Sequence, residues 1–133
     1  MGTVGSKQKT KKLKNYVSWF EIPVLDLKRA VTFFNHIYNI KMEMAEMNEY
    51  AMAFFPTNNG IGGALVMGPG CVPSETGSLI YLNGGEDLQV LLNKVETAGG
   101  RVILEKTKID DDSGYFALFI DSEGNKLALH SKK

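Results

Sequence analysis

The order of structural signals along this chain repeats once, and that repetition limits the folds open to it. From Tyr16 to Val24 the sequence is rich in β-forming residues. Alternation puts Ser18, Phe20, Ile22 and Val24 on one face and Trp19, Glu21 and Pro23 on the other. Asp26 stands where a helix N-cap belongs, and Leu27, Ala30, Val31, Phe34, Ile37 and Tyr38 follow at helical spacing. Residues 41–47, 50–55 and 62–67 then read as three short strands separated by polar or Pro/Asn/Gly turns. After a loop over 68–77 the same order begins again. Residues 78–82 read as a strand, and Asp87 caps a helix carrying Leu88, Leu91, Leu92 and Val95 on one stripe. Gly99 and Gly100 stop that helix, and strands follow over 101–105, 115–120 and 125–131.

Residues repeat as well as patterns. Asp26 and Leu27 recur as Asp87 and Leu88 after 61 positions, and YAMAFFPTNNG (50–60) is echoed by YFALFIDSEG (115–124) after 65, with an enlarged hairpin over 106–114 absorbing the difference. A βαβββ unit used twice predicts an α+β fold of two four-stranded modules, at about 15–68 and 77–132. Each has a helix on its outer side, and a concave cavity lies between them; a ferredoxin-like domain would need fewer strands.

Composition narrows the setting. A chain of 133 residues, 44% hydrophobic and 23% charged, suits one domain with a real core over residues 15–133. No apolar run approaches the roughly 18–20 residues of a membrane span, and no secretory leader pattern opens the chain. The single cysteine, Cys71, forms no internal disulfide and no zinc cluster. The expectation is a cytoplasmic protein without a membrane partner. Residues 1–14 hold five lysines and no acid, leaving −5 on the rest. Without interleaved aromatics, and with an acidic body behind it, this stretch reads as a flexible basic leader and not as a nucleic-acid arm.

The strings WFEIPVLDLKRAVTFF (19–34) and DSEGNKLALH (121–130) resemble the opening and closing signatures of the vicinal-oxygen-chelate superfamily, the glyoxalase, bleomycin-resistance and dioxygenase proteins. The resemblance spans about residues 16–131 in order. It implies two βαβββ modules, frequent assembly as homodimers, and in the enzymes a divalent ion held by His, Gln or Glu on the first, fourth, fifth and eighth strands. Counting from Asp26, Gly77 and Gly124 sets Trp19, Ser78 and Ala128 at the first, third and fourth of those positions, and the second falls at or beside Ala64. None but the serine hydroxyl offers a cation even a weak ligand, so neither metal nor other cofactor is expected.

One pleat further along the same faces come Glu21, Val66, Ile80 and His130. These eight residues are the expected lining of a ligand cavity, with Glu21 and His130 as candidate catalytic groups. A Glu/His pair can act as base and acid in proton transfer beside a carbonyl, or it can simply satisfy a polar core. Two readings follow. One is a metal-independent lyase or isomerase; the other is a protein that binds and sequesters a drug or metabolite without breaking a bond. The pair can meet within one chain or across two. His36 falls opposite the apolar stripe of its helix, and Cys71 has no activating neighbour. Tyr50, Tyr81, Tyr115 and the methionines Met42, Met44, Met47 and Met52 read first as packing. The glycines at 60, 62 and 63 let a strand bend or a ligand approach the backbone.

Overall fold

Each helix begins where an aspartate ends the preceding extended segment. Asp26 (φ −135°, ψ 104°) accepts the Arg29 N–H at 3.1 Å, and Asp87 (φ −140°, ψ 111°) accepts the Gln89 N–H at 2.9 Å. Both satisfy helix N–H groups that would otherwise lack partners. The computed structural model describes residues 11–133. In chain order its elements are β1 (Trp19–Pro23), α1 (Leu27–Tyr38), β2 (Glu43–Met47), β3 (Tyr50–Phe54), β4 (Gly62–Met67), β5 (Tyr81–Asn83), α2 (Leu88–Val95), β6 (Arg101–Asp110), β7 (Gly114–Ile120) and β8 (Lys126–Ser131). This is an α+β fold of two βαβββ modules. Most of the stretch 1–14 lies outside the described residues, and residues 11–14 are exposed.

The two sheets have matching orders, β1-β4-β3-β2 and β5-β8-β7-β6, with β1–β4 and β5–β8 parallel and the other pairs antiparallel. Strands β1 and β5 are therefore edges of their own sheets, and both line one groove along the seam between the modules. Each sheet packs one face on the helices and leaves the other free of them. Ile22, Ala53 and Leu65 of the first module and Leu82, Ala117 and Leu129 of the second belong to one buried core. Phe33 of α1 joins the halves: it meets Phe34 edge-on at 4.9 Å and stacks on Phe119 of β7 at 6.2 Å. Among the described residues no helix is long and apolar enough to cross a membrane.

The second module departs from the sequence reading in its register. Its first strand begins at Tyr81 and not at residue 78, and β6 runs on to Asp110, so the enlarged hairpin is itself strand. The linker into α1 is Val24–Asp26, whereas Gly84–Asp87 before α2 is one residue longer. Counting back from the two caps therefore lands on opposite faces, because strand side chains alternate. The true match pairs Glu21 opposite Ala64 with Tyr81 opposite Ala128. The echo of Tyr50 in Tyr115 is also one residue out, because the structural match between β3 and β7 is 64 positions and not 65. Ala53 opposite Leu65 matches Ala117 opposite Leu129, so Tyr50 lies on the helix-free face while Tyr115 packs toward the core.

Candidate functional site

The site starts from two glycines. In the parallel register of β1 and β4, Trp19 lies opposite Gly62 and Phe20 opposite Gly63. A Cβ on Gly62 would meet the Trp19 indole, and one on Gly63 would collide with the Phe20 ring. The glycine slots of β4 are thus filled by this chain's own aromatics, one on each face, and not held open for strand bending or for a ligand. Phe20 continues into the core against Phe55, with ring centroids 5.5 Å apart. Trp19, on the helix-free face, stays 45% exposed, so one side of its indole rests on Gly62 while much of the rest faces solvent.

Beyond Trp19 opens a groove of about 850 Å³ between the β1 and β5 edges. Phe20, Tyr38 and Phe55 line it from the core side, and Trp19, Ile61, Leu79 and Tyr81 from the exposed side. The Tyr38 hydroxyl donates to the Asn83 carbonyl at 2.7 Å, and burial pushes that phenol's pKa well up, so it stays a donor. Glu21 is the only charged side chain in the lining. It is exposed, and its Oε2 accepts the Trp19 Nε1–H at 3.2 Å. The carboxylate is therefore solvated and tied to the indole.

The other end of the seam is bridged by hydrogen bonds, which leave only a smaller space of about 240 Å³ beside Pro23, Ser74 and Asn125. There the β7–β8 turn, residues 121–125, reaches across to the first module. Asn125 donates from Nδ2 to the Pro23 carbonyl at 2.8 Å and accepts the Ser74 N–H at 3.0 Å. The side chain of Glu123 is fully buried, and its carboxylate accepts the N–H groups of Leu25 (2.9 Å) and Asp26 (2.8 Å) and a bidentate fork from Arg29 (2.7 and 2.9 Å). Burial alone would push this carboxyl up. The Arg29 guanidinium, the backbone N–H groups and the Ser122 hydroxyl outweigh it and hold the carboxyl at about 2. Asp121 accepts the N–H groups of Glu123 and Asn125, yet burial still leaves its carboxyl raised.

The eight residues expected to line one cavity fall into three settings. Trp19, Glu21, Ser78 and Ile80 line the seam groove, with Ile80 turned toward the helix-side core instead of the helix-free face. Ala64, Val66 and Ala128 are buried; Ala64 and Val66 sit under Met52, Phe54 and Cys71. His130 lines a separate cavity of about 540 Å³ with Tyr81, Asn83 and Lys132, and its Nε2 lies 2.6 Å from the Ser113 carbonyl, which fixes the β6–β7 hairpin against β8. Glu21 and His130 share no cavity and no hydrogen bond within the chain. Tyr81 and Asn83 line both spaces, and sequence reasoning missed them; the signal was Tyr81 itself, read as packing because aromatics on strands usually pack, while the inward face was given to Ser78 and Ile80. His36 is exposed, with its Nε2 3.4 Å from the Thr97 hydroxyl. Met42 and Met52 are core residues, and Met44 and Met47 are exposed.

The divalent ion held by enzymes of this fold does not fit these residues. Three of the four expected ligand positions carry an indole that can only donate and two buried methyl groups, and in the second module the residue that matches Trp19 is Leu79, which has no donor atom, and not Ser78. Among the described residues no group of three His, Cys, Asp or Glu side chains converges.

No protein-family model and no curated protein sequence matches the chain. Solved structures do. A hypothetical protein of S. aureus is similar at 21% identity and a TM-score of 0.64, over 91% of this chain and 95% of that one. A glyoxylase/bleomycin resistance protein/dioxygenase domain of Frankia sp. EAN1pec is similar at 18% identity and a TM-score of 0.68, over 92% and 94%. The trypanothione-dependent glyoxalase I of Leishmania major is similar at 19% identity and a TM-score of 0.63, over 90% and 88%. The chain has the vicinal-oxygen-chelate fold of these glyoxalase-like domains.

Proposed function

We propose that this glyoxalase-like chain binds a small organic molecule, partly apolar with a polar head, in the groove between β1 and β5, and that it does so as a cytoplasmic homodimer. The observation that supports this most is the groove itself. About 850 Å³ is a volume typical of ligand sites, and its walls combine exposed Trp19 and Tyr81 with a single carboxylate. Trp19 supplies a flat face already fixed on Gly62, so little side-chain freedom is lost when a guest stacks on it. Glu21, anchored by the indole N–H, orients the polar head.

Binding and sequestration is the reading favoured over turnover, because the acid/base pair is not assembled in one chain. His130 already engages the Ser113 carbonyl. A lyase or isomerase using both groups would need His130 from a second copy. The two readings separate in one experiment: a thermal-shift screen of small organic molecules, followed by mass analysis of each hit after incubation. Stabilisation that grows with ligand concentration, disappears in Trp19→Leu and returns the ligand unchanged supports binding. Product formation that is lost in Glu21→Gln and His130→Asn, with ligand affinity kept, replaces it with the enzyme reading. A hit whose shift survives Trp19→Leu places the ligand elsewhere and overturns the groove.

A further inference from the structure

The chemistry of the groove says which kind of polar head it accepts. Among the groove's own lining residues the charge is one carboxylate; Lys126 lines a smaller adjoining space of about 240 Å³ together with Glu21 but is not within ion-pair distance of it. Glu21 belongs to no ion pair, and among the described residues only its Oε2 carries a hydrogen bond, from Trp19. An anionic guest in the groove would meet a like charge, with the nearest lining cation, Lys126, in the adjoining space and not in the groove itself. A neutral guest would leave the carboxylate to water. Beside Glu21 stands Trp19 (45% exposed), and the same groove is lined by Tyr81 (53% exposed); the ring faces of both carry negative electrostatic potential.

We propose that the groove selects a cationic head, a protonated or quaternary ammonium on an apolar body, held by Glu21 and the rings of Trp19 and Tyr81. This rests on the reading that a small organic molecule occupies the groove, and adds its charge class. The ammonium takes the free side of the carboxylate, since the indole N–H already fixes the other oxygen. The apolar body lies along Ile61, Leu79 and Phe55.

The test uses three probes with one phenyl body: 2-phenylethylammonium, 2-phenylethanol and 3-phenylpropanoate. Trp19 is the only tryptophan in the chain, so its fluorescence reports on this groove directly. The ammonium is expected to bind roughly five- to thirtyfold more tightly than the alcohol, and the carboxylate probe least tightly. The preference should shrink as salt rises. In Glu21→Gln, with its unfolding midpoint checked in the absence of probe, the ammonium-to-alcohol ratio is expected to fall below about threefold. Glu49→Gln, on the β2–β3 turn, should leave the ratio unchanged.

Equal or tighter binding of the alcohol, or a ratio that survives Glu21→Gln, overturns the charge preference while leaving the groove as an organic-molecule site. A ratio that falls equally in Glu49→Gln also overturns it, because the attraction would then belong to the surface as a whole. Absence of any Trp19 response to all three probes overturns both readings.

Discussion

The seam between the two modules has one locked end and one open end, and the same strand, β1, serves both. At the locked end the Glu123 carboxylate gathers two backbone N–H groups and a guanidinium, and Asn125 ties the Pro23 carbonyl to the loop at Ser74. No buried side-chain polar atom among the described residues lacks a partner. At the open end Trp19, Glu21 and Tyr81 stay in contact with water. Fixing one end rigidly lets the other stay apolar and exposed without the modules separating. The stability of the seam thus lies in the turn, and its binding chemistry lies in the groove.

The sharpest way to break this contrast is to disarm the locked end. Glu123→Gln keeps the shape but removes the charge, leaving Arg29 without its partner at the start of α1. A loss of about 3 kcal/mol is expected by urea unfolding, because the half-exposed Arg29 charge returns to water while the charge-assisted bonds to the buried carboxylate are lost. A loss under 1 kcal/mol would show that the turn is dispensable.

Acid should act on the same group. The folded Glu123 carboxyl lies at about 2, below its ordinary value of 4.5, so its contribution is complete above pH 4.5 and is lost as pH falls toward 2. That contribution is about 3 kcal/mol. Asp121 works the other way: its raised carboxyl favours the folded state as pH falls, which tempers the loss without cancelling so large a shift. Unfolding free energy should therefore drop between pH 4.5 and 2.5 in the wild type and drop much less in Glu123→Gln. Parallel pH curves for the two proteins would refute the assignment.

The two glycines of β4 sharpen the comparison from inside a single strand. Gly63→Ala drives a methyl into the Phe20 ring, which is half-buried and packed against Phe55, so the ring can shift only by giving up that contact. A cost of about 1–3 kcal/mol follows. Gly62→Ala meets the Trp19 ring, which is partly exposed and can tilt away, so the cost should stay below about 1 kcal/mol while Trp19 fluorescence shifts. Equal costs would mean that Trp19 is as firmly packed as Phe20.

The fold was legible because its punctuation is local. Asp26 and Asp87 cap the helices, the apolar stripes follow, and β4 begins and ends where its glycines and methionine suggest. The site was legible only in its first module. Trp19 and Glu21 could be placed by alternation from a nearby cap, whereas Ser78 and Ile80, counted from Gly77, fall on the face opposite to Tyr81 and Asn83, which hid those two. Glu123 was invisible for another reason. Its partners Leu25, Asp26 and Arg29 are almost the whole chain away, and no periodicity in the sequence joins a carboxylate in a turn to a distant helix start.

The smallest expected effect belongs to the open end and is the most informative about it. Glu21→Gln removes the groove's only charge, yet the residue is exposed and its one hydrogen bond is to an exposed indole, so unfolding stability should change by no more than about 0.5 kcal/mol. Set beside Glu123→Gln, this compares two glutamates on one seam, one buried among five donors and one bathed in solvent. A carboxylate retained on an apolar strand face, with no stake in folding, is available to a guest. If Glu21→Gln instead costs more than 1 kcal/mol, the Trp19–Glu21 contact is part of the framework, and the division of the seam into a structural end and a binding end fails at its open side.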